Sequence, residues 1–190
     1  ISSLMNLFEV PVYVKKIKLD NKSILQYCKK LKKEDKGINR SNIGGWHSSE
    51  LKDKCIELQN LFNEITEKGN IFAKQIGKKN KINISKIWIN INNYKDYNQS
   101  HFHANCFLSG VYYIDTFEKG GNIIFDNPAQ DLIDSNWDTT DIDNFTTVNS
   151  STYSLVPDIG DLVLFPAWLK HKVEPNMTNQ DRVSISFNLS

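Results

Sequence analysis

The chain has 190 residues, of which 39% are hydrophobic, 24% charged and 11% aromatic, with a formal net charge of +1. A chain of this length buries roughly 70% of the surface its unfolded form exposes, so it needs no disulfide or partner to hold a core, and the disordered, collagenous and small disulfide-scaffold classes are excluded. No stretch reaches the roughly 18 apolar residues of a membrane span and the first residues lack a basic region leading into an apolar core, so the expectation is a soluble, cytoplasmic protein.

Residues 8–19 (FEVPVYVKKIKL) are rich in β-formers and contain Pro11, which predicts an edge strand. A helix follows. Asp20, Asn21 and Ser23 supply caps, Ile24, Leu25, Tyr27, Cys28 and Leu31 recur at helical spacing, and the lysine-rich end suits a helix C-terminus. Residues 41–46 (SNIGGW) read as a turn-rich connector. A longer helix is predicted from about Ser49 to Ile76 on the stripe Leu51, Cys55, Leu58, Phe62 and Ile65, with an interruption at Gly69. From Ile82 the period changes to two, and short strands are predicted at 82–92, 101–105, 109–115, 122–125, 161–165, 171–174 and 182–189. Residues 126–151, with Asp131, Asp134, Asp138, Asp141 and Asp143, form a long polar insertion, either a lid at an entrance or a solvated loop. No repeat or linker divides the chain. A single domain is expected over residues 1–190, with 1–81 as strand-and-helix support and 82–190 as the β core. This order predicts an α+β class with helices packed outside an antiparallel sandwich or barrel.

Residues 1–100 carry 19 Lys plus Arg against 10 Asp plus Glu, and residues 101–190 carry 4 against 12. The lysines flank helical patterns without interleaved aromatics, so a solvated surface is favoured over a nucleic-acid face. Lysine contributes 21 residues and arginine two, Arg40 and Arg182, which makes each arginine the more informative. Cys28, Cys55 and Cys106 are odd in number and lack any C-x-x-C pair, so reduced thiols are expected rather than a disulfide framework or zinc cluster.

The four histidines are His47, His101, His103 and His171. In a strand, alternation puts His101, His103 and Asn105 on one face, so two imidazoles can converge on one metal ion at about 2.0–2.1 Å. His47 falls outside the β half and reads as a surface residue. In the last strand Arg182, Ser184 and Ser186 share one face while Val183, Ile185 and Phe187 share the other. A permanently charged planar fork pointing into a barrel, with no acidic neighbour on its face, seeks an anionic ligand. Trp88, Asn90 and Asn92 share one face of the 82–92 strand; inward they are specificity groups, outward they are solvated. Trp168 either walls a pocket or packs structurally.

Taken in order, His101-Phe102-His103, Ser109-Gly110-Val111-Tyr112-Tyr113-Ile114, Gly120-Gly121-Asn122-Ile123-Ile124-Phe125, Gly160-Asp161-Leu162-Val163-Leu164-Phe165, His171 and Arg182-Val183-Ser184 form a pattern. It resembles that of the Fe(II)- and 2-oxoglutarate-dependent oxygenases, the family that includes prolyl hydroxylases. The resemblance spans about residues 86–190 and is nearest to short phage and marine bacterial members in which H-x-H precedes S-G-V-Y-Y. It implies a double-stranded β-helix, a jelly roll or cupin-like barrel, with helices and an edge strand packed outside. It also implies a catalytic Fe(II) held by His101, His103 and His171, and a 2-oxoglutarate cosubstrate whose distal carboxylate pairs with Arg182, helped by Tyr113 and Ser184. Dioxygen and an organic substrate of unspecified class complete the expected hydroxylation.

One departure from the family pattern matters. The usual facial triad is two histidines and a carboxylate, and His103 stands where Asp or Glu is expected. A register shifted by two would give His103, Asn105 and His171 instead. Imidazole is the better iron ligand than a carboxamide, so the three-histidine set is the one expected. Losing the carboxylate leaves the site one unit more positive, which favours anionic co-ligands. Two other functions stay open: a three-histidine dioxygenase that does not use 2-oxoglutarate, with Arg182 on the substrate's own carboxylate, and a non-enzymatic metal-binding β-barrel. Halogenation is not expected, because His103 fills the position that halogenating relatives leave open.

Overall fold

The longest strand, nine residues from Ile84, begins close to where the hydrophobic period changes. A computed structural model describes residues 3–51 and 56–190. Its strands are β1 (Tyr13–Lys16), β2 (Asn42–Ile43), β3 (Trp46–His47), β4 (Ile84–Asn92), β5 (Tyr97–His101), β6 (Leu108–Asp115), β7 (Ile123–Asp126), β8 (Thr152–Leu155), β9 (Asp161–Pro166), β10 (His171–Val173) and β11 (Arg182–Leu189). The helices are α1 (Asn21–Glu34), α2 (Gln59–Gln75) and α3 (Gln130–Asn136). Among the described residues, no helix is long and apolar enough to cross a membrane.

The strands form two antiparallel sheets, one in the order β1-β9-β6-β11-β4-β3 and the other β2-β5-β10-β7-β8. This is the expected α+β double-stranded β-helix, and β1 is its expected edge strand. That strand is shorter than the β-rich run of residues 8–19 suggests; Pro11, which cannot donate to a ladder, precedes its first residue.

The larger sheet has two chemically different faces. Along β4, Ile87, Ile89 and Ile91 are buried on one side, and along β11 Val183, Ile185, Phe187 and Leu189 follow suit. These join α1 and α2 in one core that includes Ile24, Cys28, Leu61, Ile65 and Phe72. The opposite face carries Trp88, Asn90 and Asn92 on β4 and Arg182, Ser184 and Ser186 on β11, and it looks into a cavity between the sheets. A second, smaller core of Val111, Tyr113, Phe125, Val163 and Phe165 packs between the sheets to one side of that cavity.

The helices follow the sequence in part. Asp20 caps α1, its Oδ1 accepting from the Ser23 N–H at 3.1 Å, and the Tyr112 hydroxyl donates to Asn21 Oδ1 at 2.6 Å, tying the helix start to β6. The second predicted helix begins later than expected. Ser48 N–H donates to Ile89 O and Leu51 N–H to Ile87 O, so residues 48–51 extend along β4 rather than coil. A 3-10 turn, Ile56–Leu58, then leads into α2; Cys55, placed on the helical stripe by the sequence, lies outside the described residues. Gly69 does not interrupt α2. It is buried where the helix approaches Leu189 so closely that a Cβ would sit 2.5 Å from Leu189 Cδ1, so packing rather than a break accounts for it.

The connector at 41–46 also holds structure unseen in the sequence. β2 pairs with β5 in one sheet, β3 pairs with β4 in the other, and Gly44-Gly45 carries the chain across the side of the sandwich. Both glycines have positive φ, and a Cβ on Gly44 would lie 1.9 Å from Asp96 Oδ1. The polar insertion at 126–151 contains α3 and a 3-10 turn at Thr139–Asp141, rather than featureless loop.

Candidate active site

The pairing register arranges the cavity wall in rows. Arg182 lies opposite Asn92; Ser184 lies between Asn90 and Tyr113, with His47 paired to Asn90 beyond; Ser186 lies between Trp88 and Val111. Side chains directly opposite on paired strands share a face, so each row is a continuous strip of wall. The cavity has a volume of about 530 Å³. Trp88, Asn90 and Asn92 thus face inward.

Three histidines enter from the smaller sheet. His171 on β10 pairs with His101 on β5, and His103 follows two residues after His101. The strand predicted at 101–105 is not formed: β5 ends at His101, and the His103 N–H donates to Ala167 O at 2.9 Å. Asn105 has a φ of 61°, is exposed and is not among the residues that line the cavity, whereas His101, His103 and His171 all are. The donor atoms of His101, His103 and His171 lie within 4.8 Å of one another. Their ring centroids are 5.0 Å (101 to 103), 4.5 Å (101 to 171) and 5.3 Å (103 to 171) apart.

Hydrogen bonds aim two of these rings. Nδ1 of His101 lies 2.7 Å from Gln99 O, and Nδ1 of His171 lies 2.9 Å from Leu169 O, each the carbonyl two residues earlier. A carbonyl only accepts, so both Nδ1 atoms are the protonated ones and both Nε2 lone pairs are left to a ligand. Burial keeps the rings neutral. It pulls His101 below the ordinary histidine range, takes His103 down to about 4 with the His101 charge adding to the effect, and takes His171 down to about 3. Three convergent, neutral, oriented imidazoles are a donor set that fits a divalent transition metal such as Fe(II). Phe165, 4.6 Å from His171, and Phe125, 6.2 Å away, pack behind the ring.

Arg182 is 2% exposed. Among the described residues its side-chain hydrogen bonds run through Nη1, to Gly120 O at 2.6 Å, Gly121 O at 3.3 Å and Glu174 O at 3.2 Å. The approach requires Gly121, whose φ is 96° and whose hypothetical Cβ would be 2.3 Å from Nη1. Nε and Nη2 take no part in these bonds, and Arg182 lines the cavity. Tyr113 and Ser184 are buried beside it, and burial pushes the Tyr113 phenol up to about 12, so it remains a hydrogen-bond donor at any physiological pH.

His47 corrects the sequence reading. It is buried rather than on the surface, lines the cavity, and stacks on Trp88 with centroids 5.4 Å apart and planes 6° apart. Trp88 in turn lies 5.9 Å from His103. Nδ1 of His47 is 2.8 Å from Ser48 O. The alternation of polar residues on β4 could have found it, had the β3 strand beside Asn90 been visible. Trp168 is exposed and lines a separate cavity with Asp126, Gln130, Asp131 and Lys170, so it neither walls the main cavity nor packs in a core.

The family described as "Putative 2OG-Fe(II) oxygenase" matches residues 86–188. No curated protein sequence is similar enough to count as a relative. Among solved structures, an oxidoreductase of the 2OG-Fe(II) oxygenase family from Burkholderia pseudomallei is similar at a TM-score of 0.54 and 13% identity, over 74% of this chain and 59% of that one. A prolyl-4-hydroxylase from Pseudomonas putida is similar at 0.65 and 12% identity, over 95% of this chain and 92% of that one. The non-heme alpha-ketoglutarate-dependent epimerase SnoN of nogalamycin biosynthesis reaches 0.71 at 13% identity, over 95% of this chain and 76% of that one. At these identities the structural likeness speaks to the fold alone.

Proposed function

Because the chain belongs to the 2OG-Fe(II) oxygenase family by a match over more than half its length, we propose that it is an Fe(II)- and 2-oxoglutarate-dependent dioxygenase that hydroxylates an organic substrate. The observation that carries the reading is the meeting of His101, His103 and His171 on one side of a cavity whose other wall presents Arg182. Bound Fe(II) supplies the chemistry: with dioxygen, it couples decarboxylation of 2-oxoglutarate to succinate with insertion of one oxygen atom into a C–H bond.

The chain's own residues bind, orient and exclude water. His101, His103 and His171 would hold the metal, His101 and His171 through Nε2, with Gln99 O and Leu169 O keeping those two rings in register. Arg182 grips the distal carboxylate of the cosubstrate through Nε and Nη2, its Nη1 being anchored on three carbonyls. Tyr113 and Ser184, on the same row, donate hydroxyls to that carboxylate. Phe165 and Phe125 keep water from the back of His171. A reducing compartment such as the cytoplasm suits a ferrous centre.

The test is release of labelled carbon dioxide from carboxyl-labelled 2-oxoglutarate by the Fe(II)-loaded protein in air, together with succinate. Release that depends on Fe(II) and falls to background in His171→Ala supports the reading. Tight Fe(II) binding without release of carbon dioxide, across a panel of candidate substrates, overturns it. The absence of a carboxylate from the histidine cluster then favours the second reading, a three-histidine dioxygenase that binds its substrate's carboxylate at Arg182.

A further inference from the structure

Of 21 lysines and two arginines, both arginines line the cavity that holds the three histidines, whereas among the described residues Lys86 is the one lysine that does. A composition that supplies positive charge almost wholly as lysine does not account for both arginines lining one cavity. What a guanidinium offers over an ammonium is a planar fork that holds a carboxylate or phosphate by two parallel hydrogen bonds. Arg182, buried, serves the cosubstrate. Arg40 is exposed at the cavity mouth, four residues before the Gly44-Gly45 crossing begins.

We infer that Arg40 is the anion clamp for the primary substrate, a small molecule whose carboxylate or phosphate group it holds at the mouth while the rest of the molecule reaches inward toward the histidines. The inference rests on the oxygenase reading given above. Arg40 is placed for this by its backbone: its N–H donates to Asn42 Oδ1 at 2.7 Å, and the buried Asn42 donates to Gly44 O at 3.2 Å and Gly45 O at 3.3 Å. The clamp is therefore attached to the strip that joins the two sheets.

The electrostatics agree. Glu50 is the one carboxylate on the cavity wall among the described residues, and no ion pair joins it to Arg40. With Arg182 opposed by the cosubstrate, the wall keeps Arg40 and Lys86 against Glu50, a cationic mouth. The Arg40 charge is also felt inside, where it adds to burial in holding the His47 imidazole below its ordinary range. A neutral His47, with Asn90 and Ser186 beyond it, gives the uncharged part of such a molecule polar groups to meet. Asn90 Oδ1 is buried without a hydrogen-bond partner, an acceptor that awaits a donor.

Two arginines give two side-chain Nε–H signals in a nitrogen–proton correlation spectrum, and Arg40→Lys removes one and so assigns both. The full chain, loaded with Zn(II) as a redox-inert stand-in and saturated with 2-oxoglutarate, is titrated with acetate, inorganic phosphate and acetamide. The expected result is a saturable shift of the Arg40 signal at about 10 mM anion or below, with no response to acetamide; whichever anion binds more tightly names the head group. A shift that grows linearly without saturating, no shift, or an equal response to acetamide overturns the clamp. The Arg182 signal is the separate control. If it moves on addition of 2-oxoglutarate while Arg40 answers no anion, the clamp falls and the oxygenase reading stands. If it stays still while Arg40 responds, the anion site is supported and the cosubstrate reading falls.

Discussion

Arg182 is a buried cation whose side-chain hydrogen bonds among the described residues use one of its three nitrogens, and burial pulls its proton affinity down without making it neutral. Such a group is costly unless something anionic completes it. Two charge-assisted hydrogen bonds at about 1.5–3 kcal/mol each predict that Arg182→Ala weakens 2-oxoglutarate binding on the order of 100-fold or more, read by calorimetry on the metal-loaded protein. Gly121→Ala reaches the same group from behind. An alanine at φ 96° costs about 1–3 kcal/mol in backbone strain, and its Cβ would collide with Nη1 and with Glu174 O, each 2.3 Å away. The expected outcome is a melting temperature several degrees lower and 2-oxoglutarate affinity down at least about 10-fold. Metal stoichiometry should be unchanged, because Gly121 meets Glu174 just past the end of β10 opposite His171; loss of metal along with cosubstrate would mean that Gly121→Ala disturbs the whole cavity. At this scale the sequence was informative about residues whose chemistry is unusual. Arg182 and the paired histidines stood out by type and spacing, whereas His47 did not, because burial of a lone histidine depends on a partner strand far away in the chain.

Ser48 shows how one short element joins support to site. It is fully buried; its Oγ accepts from the Ile89 N–H at 3.0 Å and donates to Ser49 O at 2.7 Å, while its own N–H donates to Ile89 O at 3.0 Å. The hydroxyl thereby continues the β3–β4 pairing past His47, whose Nδ1 rests on Ser48 O. Ser48→Ala strands the Ile89 N–H in the interior and is expected to cost about 1–3 kcal/mol, measured by urea unfolding of the metal-free protein. Ser48→Thr, which keeps the hydroxyl, should recover part of it. Equal losses in the two variants would mean that packing, not the hydrogen bond, is at stake. The long strands were legible from their alternation, and β11 was predicted with the bounds it has. β2 and β3, two residues each, carry no periodicity at all; they exist because β4 and β5 offer edges on either side of Gly44-Gly45. For the same reason the start of α2 was misjudged, since the edge of β4 captured residues 48–51 before helical spacing could apply.

Over the whole molecule, a single sheet divides two kinds of stability. On its outer face Ile89, fully buried, belongs to the core shared with α1 and α2; one residue later Asn90, also buried, faces the cavity with its Nδ2 donating to Ser186 Oγ at 2.9 Å and its Oδ1 unpaired. Folding free energy comes mainly from the first kind of position, because apolar burial rewards the folded state and an unsatisfied amide does not. Ile89→Ala is therefore expected to cost about 2–5 kcal/mol, and Asn90→Ala to fall within about 1 kcal/mol of the parent, in paired urea melts of the metal-free chain. The two substitutions sit on adjacent residues of one strand, so differences in local strand propensity are small and the contrast isolates which face is turned to the core. A cost for Asn90→Ala that matched Ile89→Ala would make the polar strip part of the structural core. The near-neutral result would instead mark Asn90, Ser186 and their neighbours as groups kept for what enters the cavity, which is where a sequence that spends buried positions on asparagine and serine must recover their cost.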